Sequence, residues 1–309
     1  MRPTKFPSSA APLLLCVGVA CSPSHFILKS AADSLADSSG PSAFARDEDP
    51  EFVRDAVPFA LETMETLGLK LPDHVGIRVA MAAGYTQYGY AFVQQPVELG
   101  GDLSSAQGKA ALSRASRFYL RARGHGLDGM KIARGVTLEE LRGPEAGRTA
   151  ALAQFEKEDA ALLYWTLLPW AAAISLNKRD LELVGDVPVI AALLDRALAL
   201  DESFDQGALH EFAITFDAAR PEGTTPDKQK AHFERARALA KGEKISALVT
   251  YAEAVLGPSQ DKKGYQALLN EAADYDVDQP KARNGRLANV LSQRRAKFLL
   301  AHQGDVFSD

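Results

Sequence analysis

Cysteine is scarce in this chain. Cys16 and Cys21 are its two cysteines in 309 residues, so neither a disulfide framework nor a four-cysteine zinc module can be built. An excess of basic charge is missing as well. The formal net charge is −5, which argues against a dedicated nucleic-acid binder. No unbroken apolar run reaches the roughly 20 residues that a membrane-spanning helix needs. Nor is the chain poor in apolar groups. With 46% hydrophobic and 24% charged residues it has globular proportions, which exclude disorder over the whole length. A sizeable core, in one large domain or two small ones, is within reach.

Catalytic and metal-binding patterns are incomplete wherever they begin. His210-Glu211 opens like a zinc-protease helix, but Ile214 stands where the second histidine belongs. Asp274, Asp276 and Asp278 have the opening spacing of a calcium loop. Gln279 replaces its bending glycine and Gly285 its final acid, so the segment reads as a helix end. Gly124-His125-Gly126 lacks the third glycine and the preceding strand of a dinucleotide fingerprint and reads as a helix terminus. Glu139 and Glu140 are adjacent and point to different sides of a helix. No Gly-x-Ser-x-Gly and no phosphate loop occurs. The expectation is a protein without catalytic residues, metal or cofactor.

What is present begins with an address. Arg2 and Lys5 precede the apolar stretch Leu13–Ala20, and no acid occurs before Asp33. A run this short suits a signal peptide over residues 1–20. Pro3, Pro7 and Pro12 disfavour a folded helix there. Gly18-Val19-Ala20-Cys21 is similar to a bacterial lipobox, with Gly18 where leucine is usual. Loss of the leader would leave Cys21 as the one remaining thiol, which is best explained as an acylation site. Multiple acyl chains then hold the protein at a membrane. Residues 21–50 are rich in Ser, Ala, Asp and Pro and read as a lipid-attached flexible tether. Residues 51–309 are the folded domain.

From Glu51 onward the apolar spacing is three and four, and β-branched residues are sparse beside Ala and Leu. Helices are expected near 51–68, 73–95, 104–127, 150–178, 187–200, 205–218, 227–241, 245–256, 260–275 and 280–302. Pro72-Asp73 and Pro226-Asp227 mark helix entries. Gly185–Pro188 and Gly257-Pro258 mark breaks. Four helices pair a small alanine with a bulky residue three positions earlier: Tyr119/Ala122, Leu194/Ala197, Phe233/Ala236 and Leu269/Ala272. The alanines are 75, 39 and 36 residues apart, near one or two tetratricopeptide periods of about 34. The expected fold is all-α: degenerate tetratricopeptide-like hairpins stacked into a solenoid or bundle.

Two aromatic clusters remain. Tyr85, Tyr88 and Phe92 share one helical face, with Tyr90 on another. Tyr164, Trp165 and Trp170 surround Pro169, whose ring frees a backbone carbonyl inside an apolar helix. Aromatics at helical spacing pack in cores more often than they line sites. Tyr85, Tyr88, Phe92, Trp165 and Trp170 are nevertheless the best candidates for a ligand-lining or interface role.

An ordered series of short motifs extends the reading. They are Gly84-Tyr85 through Tyr90-Ala91-Phe92-Val93; Arg117 through Ala122, then Gly126-Leu127; Tyr164-Trp165 with Trp170; Gly207-Ala208-Leu209-His210; His232–Ala236; Val249–Ala252; and Asn289 followed by Arg295–Leu300. Together, over residues 50–302, they resemble the T-component (TatT) lipoproteins of TRAP transporters. The departures are the imperfect lipobox and Gly89, where alanine is expected. The resemblance implies a non-enzymatic, periplasmic, lipid-anchored homotrimer with a central pore. It also implies association with a periplasmic solute-binding protein, the P component, in import of a ligand that is hydrophobic in character. Ser22 after Cys21 is compatible with outer-membrane sorting. His210 and Asn289 match family motifs but are expected to be structural. The alternative is a tetratricopeptide-like scaffold lipoprotein in cell-envelope assembly that holds a peptide on its concave face.

Overall fold

The computed structural model describes residues 42–220 and 223–307. The leader, Cys21 and residues 22–41 of the expected tether lie outside the described residues. Among the described residues every regular element is helical. In chain order these are α1 (Ala43–Arg46), α2 (Pro50–Lys70) and α3 (Val75–Tyr88), which continues through a π-helical segment (Gly89–Gln94) into α4 (Gln95–Gly100). Then follow α5 (Ala106–Arg134), α6 (Leu138–Arg142), α7 (Glu145–Leu152), α8 (Ala160–Leu176), α9 (Leu181–Val184) and α10 (Val187–Asp201). The last third holds α11 (Ala208–Phe216), α12 (Pro226–Ala240), and α13 (Ser246–Tyr251) with a second π-helical segment (Ala252–Leu256). It ends with α14 (Lys262–Ala273) and α15 (Arg286–Ala301).

Several boundaries differ from the sequence reading, each for a local reason. The helix expected over 150–178 is split, because Glu156 and Asp159 form a capping box around a 3-10 turn. The cap of α3 is His74, whose Nδ1 accepts from the Ile77 amide at 3.2 Å, so Pro72-Asp73 fall in the preceding turn. At α12 the first helical residue is Pro226, as expected, but Thr225 is the capping group. Gly124-His125-Gly126 is no terminus. It lies inside α5, which runs on to a left-handed cap at Gly135.

The apolar side chains form three successive clusters. The first gathers α2, α3 and α5; the central one α5 to α11; the last α11 to α15. All four bulky/alanine pairs are buried within them, and a fully buried leucine such as Leu194 or Leu269 contributes about 1.5–3 kcal/mol. Helix α8 is apolar on every side. With the preceding 3-10 turn it forms Lys157–Leu176, 20 residues that contain an 18-residue stretch of mean hydropathy 1.3. By length and composition that segment could cross a membrane, which an unbroken-run criterion overlooks because Lys157, Glu158 and Asp159 begin it. In the fold it packs against α3, α5, α10 and α11, as a helix apolar all round must.

The end of the chain returns to its beginning. Helix α15 packs on α1 and α2, joined by polar contacts. Arg46 donates to Asn284 Oδ1 at 3.1 and 3.2 Å, Arg294 pairs with Glu51 at 2.5 Å, and Arg286 pairs with Glu48. Residues 43–50, in the expected tether, are thus helical or docked on α15.

The tightest helix crossing is between α5 and α8. A Cβ on Gly126 would lie 2.3 Å from Thr166 Oγ1 and 3.0 Å from its Cα, so glycine is required for the approach. Gly124, on the open side of the same helix, has nothing within 4 Å. Gly126→Ala is expected to destabilise by about 1–3 kcal/mol and Gly124→Ala to be neutral or stabilising. Thermal unfolding followed by circular dichroism compares the two.

Candidate functional site

The five sequence-selected aromatics divide between two packing environments. Tyr85, Tyr88 and Phe92 belong to the first cluster and meet around Phe118 of α5. Ring centroids are 5.9 Å apart for Tyr85–Phe118, 5.5 Å for Tyr88–Phe118 and 5.6 Å for Tyr88–Phe92. Trp165 and Trp170 belong to the central cluster. Trp170 is 0% exposed. Its indole donates to Asp186 Oδ2 at 3.1 Å, and Arg123 lies 4.5 Å from its ring centroid. Trp165 is half-buried beside Tyr164. Tyr85 and Tyr88 are buried, and Phe92 is half-buried.

Tyr90, set apart by helical spacing, occupies a different place. Its side chain is 41% exposed, yet burial pushes its phenol up to about 12, Arg295 opposing and Glu98, Glu253 and Glu211 adding. The ring is thus partly exposed while standing within the electrostatic reach of Arg295, Glu98 and Glu253. Two residues on from Tyr88, Tyr90 lies about 200° round the helix, away from the Tyr88 cluster and within the π-helical segment. Gly89 begins that segment. A Cβ there would meet Tyr119 Cε1 at 3.1 Å and Phe118 Cβ at 3.3 Å, which accounts for glycine where alanine is expected.

A chain of hydrogen bonds crosses this region from the N-terminal helices to the last one. Tyr119 Oη donates to Gln94 Oε1 at 2.6 Å and Gln94 Nε2 to Glu98 Oε1 at 2.7 Å. Arg295 Nη1 donates to Glu98 Oε2 at 2.9 Å, and Arg295 also holds Glu253 in a fork at 2.7 and 2.8 Å. The direction is forced: Glu98 only accepts, so the Gln94 amine faces it. Burial would lower the Arg295 guanidinium; its bond to Glu253 and the charges of Glu253 and Glu98 outweigh that and hold it firmly charged. Gln94 and Glu253 both stand on π-helical segments, which recur at functional sites.

A second polar group centres on Glu211 of α11. Ser246 and Thr250 hydroxyls donate to Glu211 at 2.7 and 3.2 Å. Lys244 Nζ is 3.2 Å from Asp205 and 3.6 Å from Glu211. Burial opposes charge on Lys244, but the two carboxylates outweigh it and hold the ammonium up. Tyr164 lies beside them, its phenol raised by burial, partly relieved by Lys244. The charge of Glu211 raises both Tyr90 and Tyr164. Together the two groups carry carboxylates in excess over Arg295 and Lys244. They present hydrogen-bonding groups, charges and phenol rings. Among the described residues no group of three or more potential metal-binding side chains occurs.

His210 and Asn289 are held by partners. Asn289 Oδ1 accepts from the Ile245 amide at 3.2 Å, and its Nδ2 donates to the Glu243 carbonyl at 2.8 Å, bracing the entry to α13. His210 Nδ1 is 2.9 Å from His232 Nδ1 and its Nε2 is 3.1 Å from Glu202.

A family model described as TRAP transporter T-component matches residues 46–307. A protein of Treponema pallidum (strain Nichols), described as uncharacterized, is 31% identical over 279 residues, 89% of this chain and 85% of that protein.

Two outcomes follow from the geometry. Arg295→Met leaves Glu98 and Glu253 facing each other without their cation. It is expected to destabilise by about 2–4 kcal/mol, near the range for breaking a buried ion pair, read from urea unfolding. Burial also lowers the His125 and His232 imidazoles, with Glu65 and Asp217 opposing. Their folded values lie below the unfolded value near 6.5, so the unfolded chain binds more protons below that pH. Stability is therefore full above about pH 6.5 and declines toward pH 5. The melting temperature is expected to fall between pH 7.5 and 5.5, and the fall to shrink in His125→Gln.

Proposed function

Because the chain belongs to the TRAP transporter T-component family, we propose that it is a periplasmic lipoprotein component of a TRAP-type transport system. In this reading it docks a solute-binding protein and shields the ligand during transfer. The observation that carries the proposal is the family match over residues 46–307; the Glu98–Arg295–Glu253 cluster near Tyr90, built from both ends of the chain, offers polar partners for a solute. The helical pairs are degenerate tetratricopeptide-like hairpins, the protein assembles as a homotrimer, and Cys21 is its acylated anchor after removal of residues 1–20. Export, the anchor and a periplasmic or outer-membrane location rest on the leader alone.

These polar groups refine the expected ligand. Enclosing a wholly apolar molecule against Glu253, Arg295 and Lys244 would desolvate charged groups without giving them new partners. A small solute with its own hydrogen-bonding groups and an apolar body fits better: its polar atoms meet these groups, and its body meets Tyr90 and Tyr164. Phe92 and Trp165, the half-buried members of the original five, are assigned to the approach or to subunit contacts. Tyr85, Tyr88 and Trp170 support the frame.

The test is recovery of partners from the native membrane. The tagged full chain is expected to co-purify with a TRAP-type solute-binding protein, and native mass spectrometry to show three copies. Recovery of outer-membrane assembly factors in its place would favour the scaffold alternative. Cys21→Ser is expected to move the protein from the membrane fraction to the soluble periplasm. A cytosolic protein with an uncut leader would overturn the reading.

A further inference from the structure

The longest helix carries charge of the opposite sign to the chain. Helix α5 holds Lys109, Arg114, Arg117, Arg121, Arg123, Lys131 and Arg134 against the single acid Asp128, in a protein of formal net charge −5. Part of this charge is spent internally. Arg121 pairs with Glu65 at 2.8 Å, Arg134 with Asp159 at 2.8 Å, and Arg123 covers the Trp170 ring. Arg114 and Arg117 are exposed and meet no carboxylate among the described residues. Arg114 lies 5.2 Å from the Phe118 ring centroid, and Arg117 Nη1 donates to Ser113 Oγ at 3.1 Å. Both contacts hold the guanidinium in place and leave its charge uncompensated.

The exposed positions Ala110, Ser113, Arg114, Arg117 and Leu120 follow three-and-four spacing, so they form one stripe along the helix. Continued to Gly124, it is about 21 Å long at 1.5 Å per residue. Leu120 stands 38% exposed within it, and the small residues on either side permit close approach.

We propose that this face of α5 docks the acidic surface of a partner protein, with Arg114 and Arg117 as its anchors and Leu120 as its apolar centre. Guanidinium forks match carboxylates two bonds at a time. Arginine is enriched in protein interfaces, and side chains already held on Phe118 and Ser113 lose less freedom on binding. An anionic bilayer fits less well. It would meet two free arginines on a narrow, rigid stripe of a protein otherwise negative, where a lysine-rich and broad patch would be needed. The identity of the partner as the solute-binding protein rests on the reading above; the acidic chemistry of the contact does not.

The experiment places a photoreactive phenylalanine analogue at Ser113 or Leu120 of the full chain in its native cells. The expected product is a crosslink to one protein, through a peptide rich in Asp and Glu. It is expected to be lost in Arg114→Glu/Arg117→Glu and kept both in Arg114→Lys/Arg117→Lys and in the charge-matched control Lys263→Glu/Lys297→Glu. Helix content by far-UV circular dichroism should be equal in all. With the captured protein purified, the reversal is expected to weaken binding at least about tenfold, and raised salt to do the same. Crosslinks to lipid, no crosslink, capture through a peptide without acids, or indifference to charge reversal would overturn the proposal. An acidic partner other than a solute-binding protein would sustain it while removing the docking reading.

Discussion

Arg295 joins two ends of the chain that 197 residues separate from each other at Glu98, and it grips Glu253 with its remaining N–H groups. The guanidinium fork is suited to this because it is planar, always charged and able to satisfy two carboxylates at once. A row of stacked helices has no intrinsic reason to bring its last member against its first. Here α15 returns to α1, α2 and α4 through Arg46, Arg286, Arg294 and Arg295. Tyr90 stands near these contacts, where it feels the charges of Arg295, Glu98 and Glu253.

The energetic roles are divided accordingly. Cohesion comes from the three apolar clusters, where each large side chain removed from water contributes more than a surface ion pair, whose usual worth is about 0–1 kcal/mol. Pairs such as Arg294–Glu51 add little to total stability and select which surfaces meet. Arg295 is the exception, since it is largely enclosed and its loss strands two carboxylates.

The two π-helical segments stand beside this closure: Gln94 and Tyr90 lie on one and Glu253 on the other. Wider turns cost hydrogen-bond quality, and here they occur beside charged groups that fix their neighbours. The family to which the chain belongs is a TRAP transporter component.

Helicity, most element positions and the burial of the four bulky/alanine pairs were legible in the order of residues, because helical periodicity and small-residue packing act over three or four positions. The family was legible too, through short motifs in fixed order. The site was not. Tyr85, Tyr88 and Trp170 stood out as aromatics and proved to be packed inside, whereas Tyr90, Glu98, Glu253, Lys244 and Arg295 showed no mutual signal. Glu98 and Arg295 meet only in the folded chain. Local spacing determined which segments are helices and which faces are apolar; tertiary closure alone decided which polar groups come together, since electrostatic pairing acts through space and leaves no period in the sequence.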